Sequence, residues 1–376
     1  MSERDDSAEM SLESDTPFHL HQRLKTSGAR AVLPLEIDNE LHLIVPQLAY
    51  DLEGTEPHMN GGDSNTDALI FRWADGQFTE QGRLPVPGGE DALAFTIEGH
   101  SFLATASVRT GSGPYDLNAH CAIFRREAGR WSRFQDIPSF AGKQWHHFTI
   151  DDRHFLALAQ GVTVPTASPR GPRSSRIFEW HGGCFELFQE IGDGCWGYNW
   201  ADVAIDGATY LAYADHTAPS RLLRWDGAQF VEHQQFSDRG GRAFAFFEED
   251  GRHWLAYAAI DGESLLYVWD GTAFIVHQRL GGAGGREFAI IRRSEELYLV
   301  RICFIEGDPH HPKTDLSSQL YRWTGNGFET ILSFPTFGGT DAAAFEADGK
   351  LYLAVSDSLT ADVRFRQDSA IYRVDL

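Results

Sequence analysis

Along most of the chain, apolar and polar residues alternate in short runs, and Gly, Asp or Asn closes each run. Alternation at period two is the signature of strands with one covered face. Copies such as LAFTIEGHSFLAT, ADVAIDGATYLAY and AAFEADGKLYLAV read as strand, tight turn, strand, which predicts β-hairpins. No stretch of comparable length carries a helical period, so the chain is predicted to be all-β.

The hairpins belong to a larger repeat. An apolar-aromatic strand, a Gly turn and an aromatic opening recur as IFRWADGQF (70–78), IFRREAGRW (123–131), IFEWHGGCF (177–185), LLRWDGAQF (222–230), LYVWDGTAF (266–274) and LYRWTGNGF (320–328). A seventh copy, IYRVDL (371–376), ends with the chain. The opening aromatic is followed four positions later by Gln22, Gln135, Gln189, Gln234 and Gln278; the copy at Phe78 has Gln81, and the copy at Phe328 has Leu332. Openings at 18, 78, 131, 185, 230, 274 and 328 lie 44–60 residues apart, and each unit supplies four strands. That period predicts a seven-bladed β-propeller of four-stranded blades. The chain starts on an unpartnered outer strand, FHLHQRL (18–24), and stops three strands into its last unit. The N-terminal strand is therefore expected to complete the last blade and close the ring, which removes the open sheet edges. Two regions follow: an acidic tail over 1–17, expected to be disordered, and a propeller domain over 18–376.

The opening Phe, the Gln four residues on, the F-x-I-x-G turn, the Y/F-L-A strand and the I-Y-x-W strand resemble the EAR (epilepsy-associated, or EPTP) repeat. The resemblance covers residues 18–376 and recurs seven times. It implies a seven-bladed propeller and, from the well-known animal members, protein–protein recognition. Those members are secreted or extracellular.

Charge and cysteine content narrow the setting. The chain carries 32 Lys+Arg against 54 Asp+Glu, a net charge of −22, which argues against a nucleic-acid groove. No apolar run approaches the roughly 18–20 residues that span a bilayer, and MSERDDSAEMSLESDTP has no signal-peptide character. Cys121, Cys184, Cys195 and Cys303 form no CxxC or disulfide framework. A cytoplasmic monomer with no nucleic-acid or membrane partner is expected.

Labelling the strands of each blade A to D from the axis outward, the A–B and C–D turns are short, and one face is trimmed. The other face carries the D-to-A links and long B–C loops at 49–66, 107–119, 162–174, 303–317 and 356–368. Function concentrates on such loops. Aligned A strands give a column at the channel mouth: Ala31, Asp91, Gln144, Asn199, Ala243, Glu287 and Asp341. One position earlier stand Arg30, Glu90, Lys143, Tyr198, Arg242, Arg286 and Thr340. These side chains either cap backbone groups and hold water, or form a polar ligand site. The ligand set in the second case is Arg30, Asp91, Gln144, Trp145, Asn199, Trp200, Arg242, Arg286, Glu287 and Asp341. KQWHHFTI and GYNWADV add His146, His147 and Tyr198, groups that stack on planar ligands or move protons, or else pack between blades.

There is no GxSxG, HExxH, Walker A or metal-spaced Cys/His set. No cofactor is implied. A Ca²⁺ ion on the axis, held by Asp91, Asn199, Glu287 and Asp341, is an alternative because oxygen ligands suit that ion; the adjacent imidazoles of DPHHP (308–312) offer a second metal candidate, although neighbouring His side chains usually diverge. Two functions remain: a propeller that binds a protein or small ligand on its loop-rich face and channel mouth, and a cofactor-independent enzyme of a bacterial natural-product pathway. The second, performing cyclisation or carbon–carbon bond formation, rests on His146, His147, Asp91, Glu287 and Tyr198 as acid–base groups. Without a catalytic motif, the binder is preferred.

Overall fold

The computed structural model describes residues 16–163, 168–171, 173–192, 196–236 and 239–376. They form seven antiparallel four-stranded sheets. Six blades are continuous in sequence, at 33–85, 89–138, 142–191, 197–235, 241–281 and 285–337. The seventh takes three strands from 339–374, and Phe18–Leu24 pairs on its outer edge. Among the described residues no helix is long and apolar enough to cross a membrane.

The closing strand is held in register from Phe18 opposite Val374 to Leu24 opposite Ser369. Asp375 N donates to Pro17 O at 2.8 Å, so pairing extends one residue beyond the strand. Phe18 is fully buried, its ring 5.2 Å from Phe334 and 5.8 Å from Tyr372. Residues 1–15 of the expected acidic tail lie outside the described residues.

Local chemistry explains the hairpins. Asp206–Gly207, Asp250–Gly251 and Asp348–Gly349 hold φ of 50° and 78°, 53° and 68°, and 50° and 71°. Two successive positive φ values make the tight hairpin turn whose twist matches that of the strands. The B strands place small side chains where blades meet: Ala104, Ala157, Ala212, Ala256 and Ala354 are fully buried. Rings fill the remaining space, as where Phe102, Trp145, Phe178 and Phe185 join one cluster across blades 2 and 3.

The recurrent Gln is an inter-blade clamp. Gln22 Nε2 donates to Phe78 O at 2.7 Å while Phe78 N donates to Gln22 Oε1 at 2.9 Å. The same two bonds join Gln135 to Phe185, Gln189 to Phe230, Gln234 to Phe274 and Gln278 to Phe328. Five of the seven D strands thus grip the opening residue of the next blade. Where His precedes the Gln, it reaches the next C–D turn: His21, His233 and His277 each place Nε2 2.7 Å from a carbonyl, of Gly76, Thr272 and Asn326.

Candidate binding site on the propeller axis

The inner strands create the site by a repeated irregularity. In blades 2 to 7 the A–B pairing slips at the start of the A strand, so Glu90, Lys143, Tyr198, Arg242, Arg286 and Thr340 are each an extra residue without a partner opposite. A β-bulge re-aims its side chain, and here it delivers the charged column to the axis. A glycine precedes each bulge, where a Cβ would crowd its neighbours. A Cβ on Gly241 would stand 2.2 Å from Ser220 Oγ, and one on Gly285 would stand 2.4 Å from Ser264 Oγ.

The resulting ring is cationic. Arg30, Lys143, Arg242 and Arg286 are each 7–8 % exposed, and Glu90 is 5 % exposed. Arg286 Nη2 donates to Glu90 Oε1 at 3.1 Å; Arg30 Nε stands 3.5 Å from Glu90 Oε2 without a hydrogen bond. The Tyr198 ring faces the remaining charge, with Arg242 4.0 Å, Arg286 5.0 Å and Lys143 Nζ 5.3 Å from its centroid. Burial alone would raise the Glu90 carboxyl, but Arg30, Lys143, Arg286 and Arg242 together hold it below its ordinary value. Burial would likewise raise the Tyr198 phenol, and Arg242, Lys143 and Arg286 outweigh it to lower it.

The next column ties blade to blade. Asp91 accepts from Trp145 N at 2.8 Å, Gln144 from Trp200 N at 2.8 Å, Asn199 from Phe244 N at 2.9 Å and Asp341 from Val32 N at 2.9 Å. Glu287 instead accepts from Phe288 N in its own blade, at 3.1 Å. Burial pushes Asp91 up to about 7. Glu287 rises to about 8, from burial first and then from the neighbouring Asp341 charge. Both columns line one cavity of about 310 Å³.

The expected residues therefore separate by role. Arg30, Arg286, Asp91, Glu287, Asp341, Gln144, Asn199, Trp200, Tyr198 and His146 line the cavity together, and Arg242 packs on Tyr198. His146 Nε2 lies 2.7 Å from Asp202 Oδ1. His147 points between blades, 4.8 Å from the Phe95 ring and 3.2 Å from His154 Nδ1; burial and both neighbouring imidazoles push it down to about 4. Trp145 is 1 % exposed and spends its indole N–H on Thr105 O at 3.1 Å. Trp200 is 1 % exposed and packs 4.4 Å from Tyr213. Among the described residues no cluster of three or more His, Cys, Asp or Glu is arranged to hold a metal ion.

The expected channel mouth is covered. Leu48, Val108, Ile260, Phe304 and Leu359, which follow the B strands, form one buried apolar cluster with Phe140, Val162 and Phe365. Their backbones pair with the links that lead into the A strands, as Leu48 N with Gly28 O at 2.8 Å and Phe304 N with Gly284 O at 2.8 Å. Arg30 lies 5.3 Å from the Phe304 ring, so this cation of the ring packs against the cluster. In blade 4 Trp196 and His216 pack edge to face at 4.9 Å beside Tyr198. Burial and the Arg242 charge push His216 down to about 4. Sequence reading missed this layer, whose only trace is a large apolar residue just past several B strands.

Outside that layer the long loops are stapled to one another. Arg109 of blade 2 donates to Asn60 O and Gly61 O at 2.5 Å each and to Ser64 Oγ at 2.9 Å, fixing loop 49–66. Tyr115 OH donates to Gly62 O at 2.7 Å. From blade 7, Arg364 donates to Thr55 O at 2.6 Å and Phe365 N to Asp51 Oδ1 at 3.0 Å.

Comparison with known proteins agrees with this architecture. The sequence profile of the EPTP domain matches residues 18–74, 132–181, 229–270 and 327–373, more than half of the chain. The thrombospondin-type laminin G domain and EAR repeat-containing protein of Mus musculus is 24 % identical over 271 residues, covering 55 % of this chain and 38 % of that protein. The protein of the same name from Homo sapiens is 26 % identical over 156 residues, 39 % of this chain and 21 % of that protein. Each match covers less than two thirds of the relative's length. By this profile match and its seven four-stranded blades, the chain belongs to the EPTP domain family.

Proposed function

We propose that this protein is a binding module whose rigid ring presents its loop-bearing end to a protein partner. EPTP propellers are in general protein-interaction modules, which supports the reading. The observation that carries it is the preorganised end itself: loops 49–66, 107–119 and 356–368 are tied by Arg109, Tyr115, Arg364 and Phe365, so little ordering entropy is lost on docking. Exposed side chains on these and neighbouring loops, Glu53, Glu56, His310 and Asp362, are available for contact. The acidic composition and cysteine pattern support a cytoplasmic monomer.

Photo-crosslinking in the source cell tests this. A cross-linkable residue at Glu53 or His310 is expected to capture one protein that the same probe at Asp206 or Asp250, in the A–B turns of the opposite end, does not. Equal capture from both ends, or none from the loop end, contradicts the reading.

A second reading, the cofactor-independent enzyme, draws on Asp91 and Glu287, whose carboxyls burial lifts to about 7 and about 8 within a cavity. Both already serve as backbone caps, which favours the binder.

A further inference from the structure

We propose that the ring of Arg30, Lys143, Arg242 and Arg286 is a binding site for a small oxyanion, a phosphate or carboxylate group, held on the propeller axis. This stands apart from the loop-end reading, since the two surfaces are separated by the apolar layer of Leu48, Val108, Ile260 and Phe304.

The charge count within the ring motivates it. Three guanidinium groups and one ammonium, each at least nine-tenths buried, face a single carboxylate, Glu90. Uncompensated buried charge is costly, so it persists where something supplies the missing counter-charge. Donors are left over to do so. Arg30 Nε has no hydrogen-bond partner, and among the described residues Lys143 Nζ makes no hydrogen bond or ion pair. Arg242 gives one N–H to Gly241 O, at 3.1 Å, and places its guanidinium carbon 4.0 Å from the Tyr198 ring centroid. Guanidinium forks match oxyanion geometry, and an ammonium adds a point charge.

The carboxyl groups one residue further along are engaged away from this ring. Asp91 and Asp341 each accept a backbone N–H of the next blade, Glu287 accepts one of its own, and burial shifts all three toward their neutral forms. The cavity of about 310 Å³ has room for an ion of phosphate size with water. A larger ligand from the loop end meets the apolar layer, so the occupant is a free small anion.

The test is thermal unfolding and titration calorimetry of the full chain with sodium sulfate, sodium phosphate and sodium succinate, each against sodium chloride at matched ionic strength. A saturable rise in Tm with at least one of the three is expected, matched by one-to-one calorimetric binding; the order among them separates tetrahedral oxyanions from carboxylates. Lys143→Met is expected to weaken that binding at least about tenfold, the scale of one charge-assisted hydrogen bond. Its anion-free Tm is expected to stay equal or rise, because one crowded charge is gone, and Lys143→Arg is expected to restore binding. A wild-type Tm that responds to all three anions only as to chloride overturns the proposal. So does a Lys143→Met protein that binds as the wild type does.

Discussion

Asp91→Asn isolates the electrostatic cost of the inner ring. The carboxyl caps Trp145 N at 2.8 Å, and burial raises it from 3.8 to about 7. An amide can do the same capping, as Asn199 does for Phe244 N and Gln144 for Trp200 N at neighbouring positions of the column. In the wild type the folded state keeps a proton that the unfolded chain has already released. Stability therefore falls as pH rises from about 4 to about 7, and is flat above. At about 1.36 kcal/mol per unit, the loss between pH 5 and pH 7 is on the order of 2–3 kcal/mol. The variant escapes it. Urea unfolding of both proteins at pH 5 and pH 8 is expected to show an advantage for Asp91→Asn that grows by about 2–3 kcal/mol at the higher pH. His147 and His216, held at about 4, act in the opposite sense below pH 6.5, but they are present in both proteins and cancel. An advantage that does not grow with pH, or a variant less stable at pH 8, refutes the reasoning.

Three further outcomes are expected. Gln189→Leu removes both bonds to Phe230, at 2.8 and 2.9 Å, and should lower unfolding free energy by about 1–3 kcal/mol, whereas Gln81→Leu, outside the clamp register, should change it by less than about 0.5; chemical denaturation of the pair reads the contrast. Gly241→Ala puts a Cβ 2.2 Å from Ser220 Oγ and 2.8 Å from Asp215 O, and a cost of about 1–3 kcal/mol is expected in the same assay. Arg109→Met releases three bonds that fix loop 49–66, so limited proteolysis should cut that loop faster than in the wild type, with the blade strands still protected.

The repeat made the fold legible because each blade carries the same hairpin chemistry, and the truncated last copy pointed to the closing strand. The Gln column was equally visible, but its partner was not: nothing in F-x-x-x-Q says that the side chain clips the next blade's backbone. The axial columns were aligned correctly, yet a strand reading alternates faces and cannot place two successive polar residues on the axis together. The bulge at Glu90, Lys143 and their counterparts does that, and its trace is the small residue, Gly89 or Gly142, just before it. His146 and His147 look equivalent in KQWHHFTI; strand alternation sends one to the channel and the other to the Phe95 ring. Leu48 and Phe304 belong to different blades, far apart in sequence, and only the closed ring assembles them into a cover.

Both the loop end and the axial ring depend on that closure, and thermal unfolding of two truncations tests it most directly. Removing residues 1–15 should leave Tm nearly unchanged. Removing 1–25 takes away Phe18–Leu24, with the fully buried Phe18 and the Gln22 clamp to Phe78, and exposes the edge of strand Ser369–Val374. A Tm lower by many degrees, or aggregation through the open edge, is expected of the second protein. Equal melting of the two would contradict the closed seven-bladed ring.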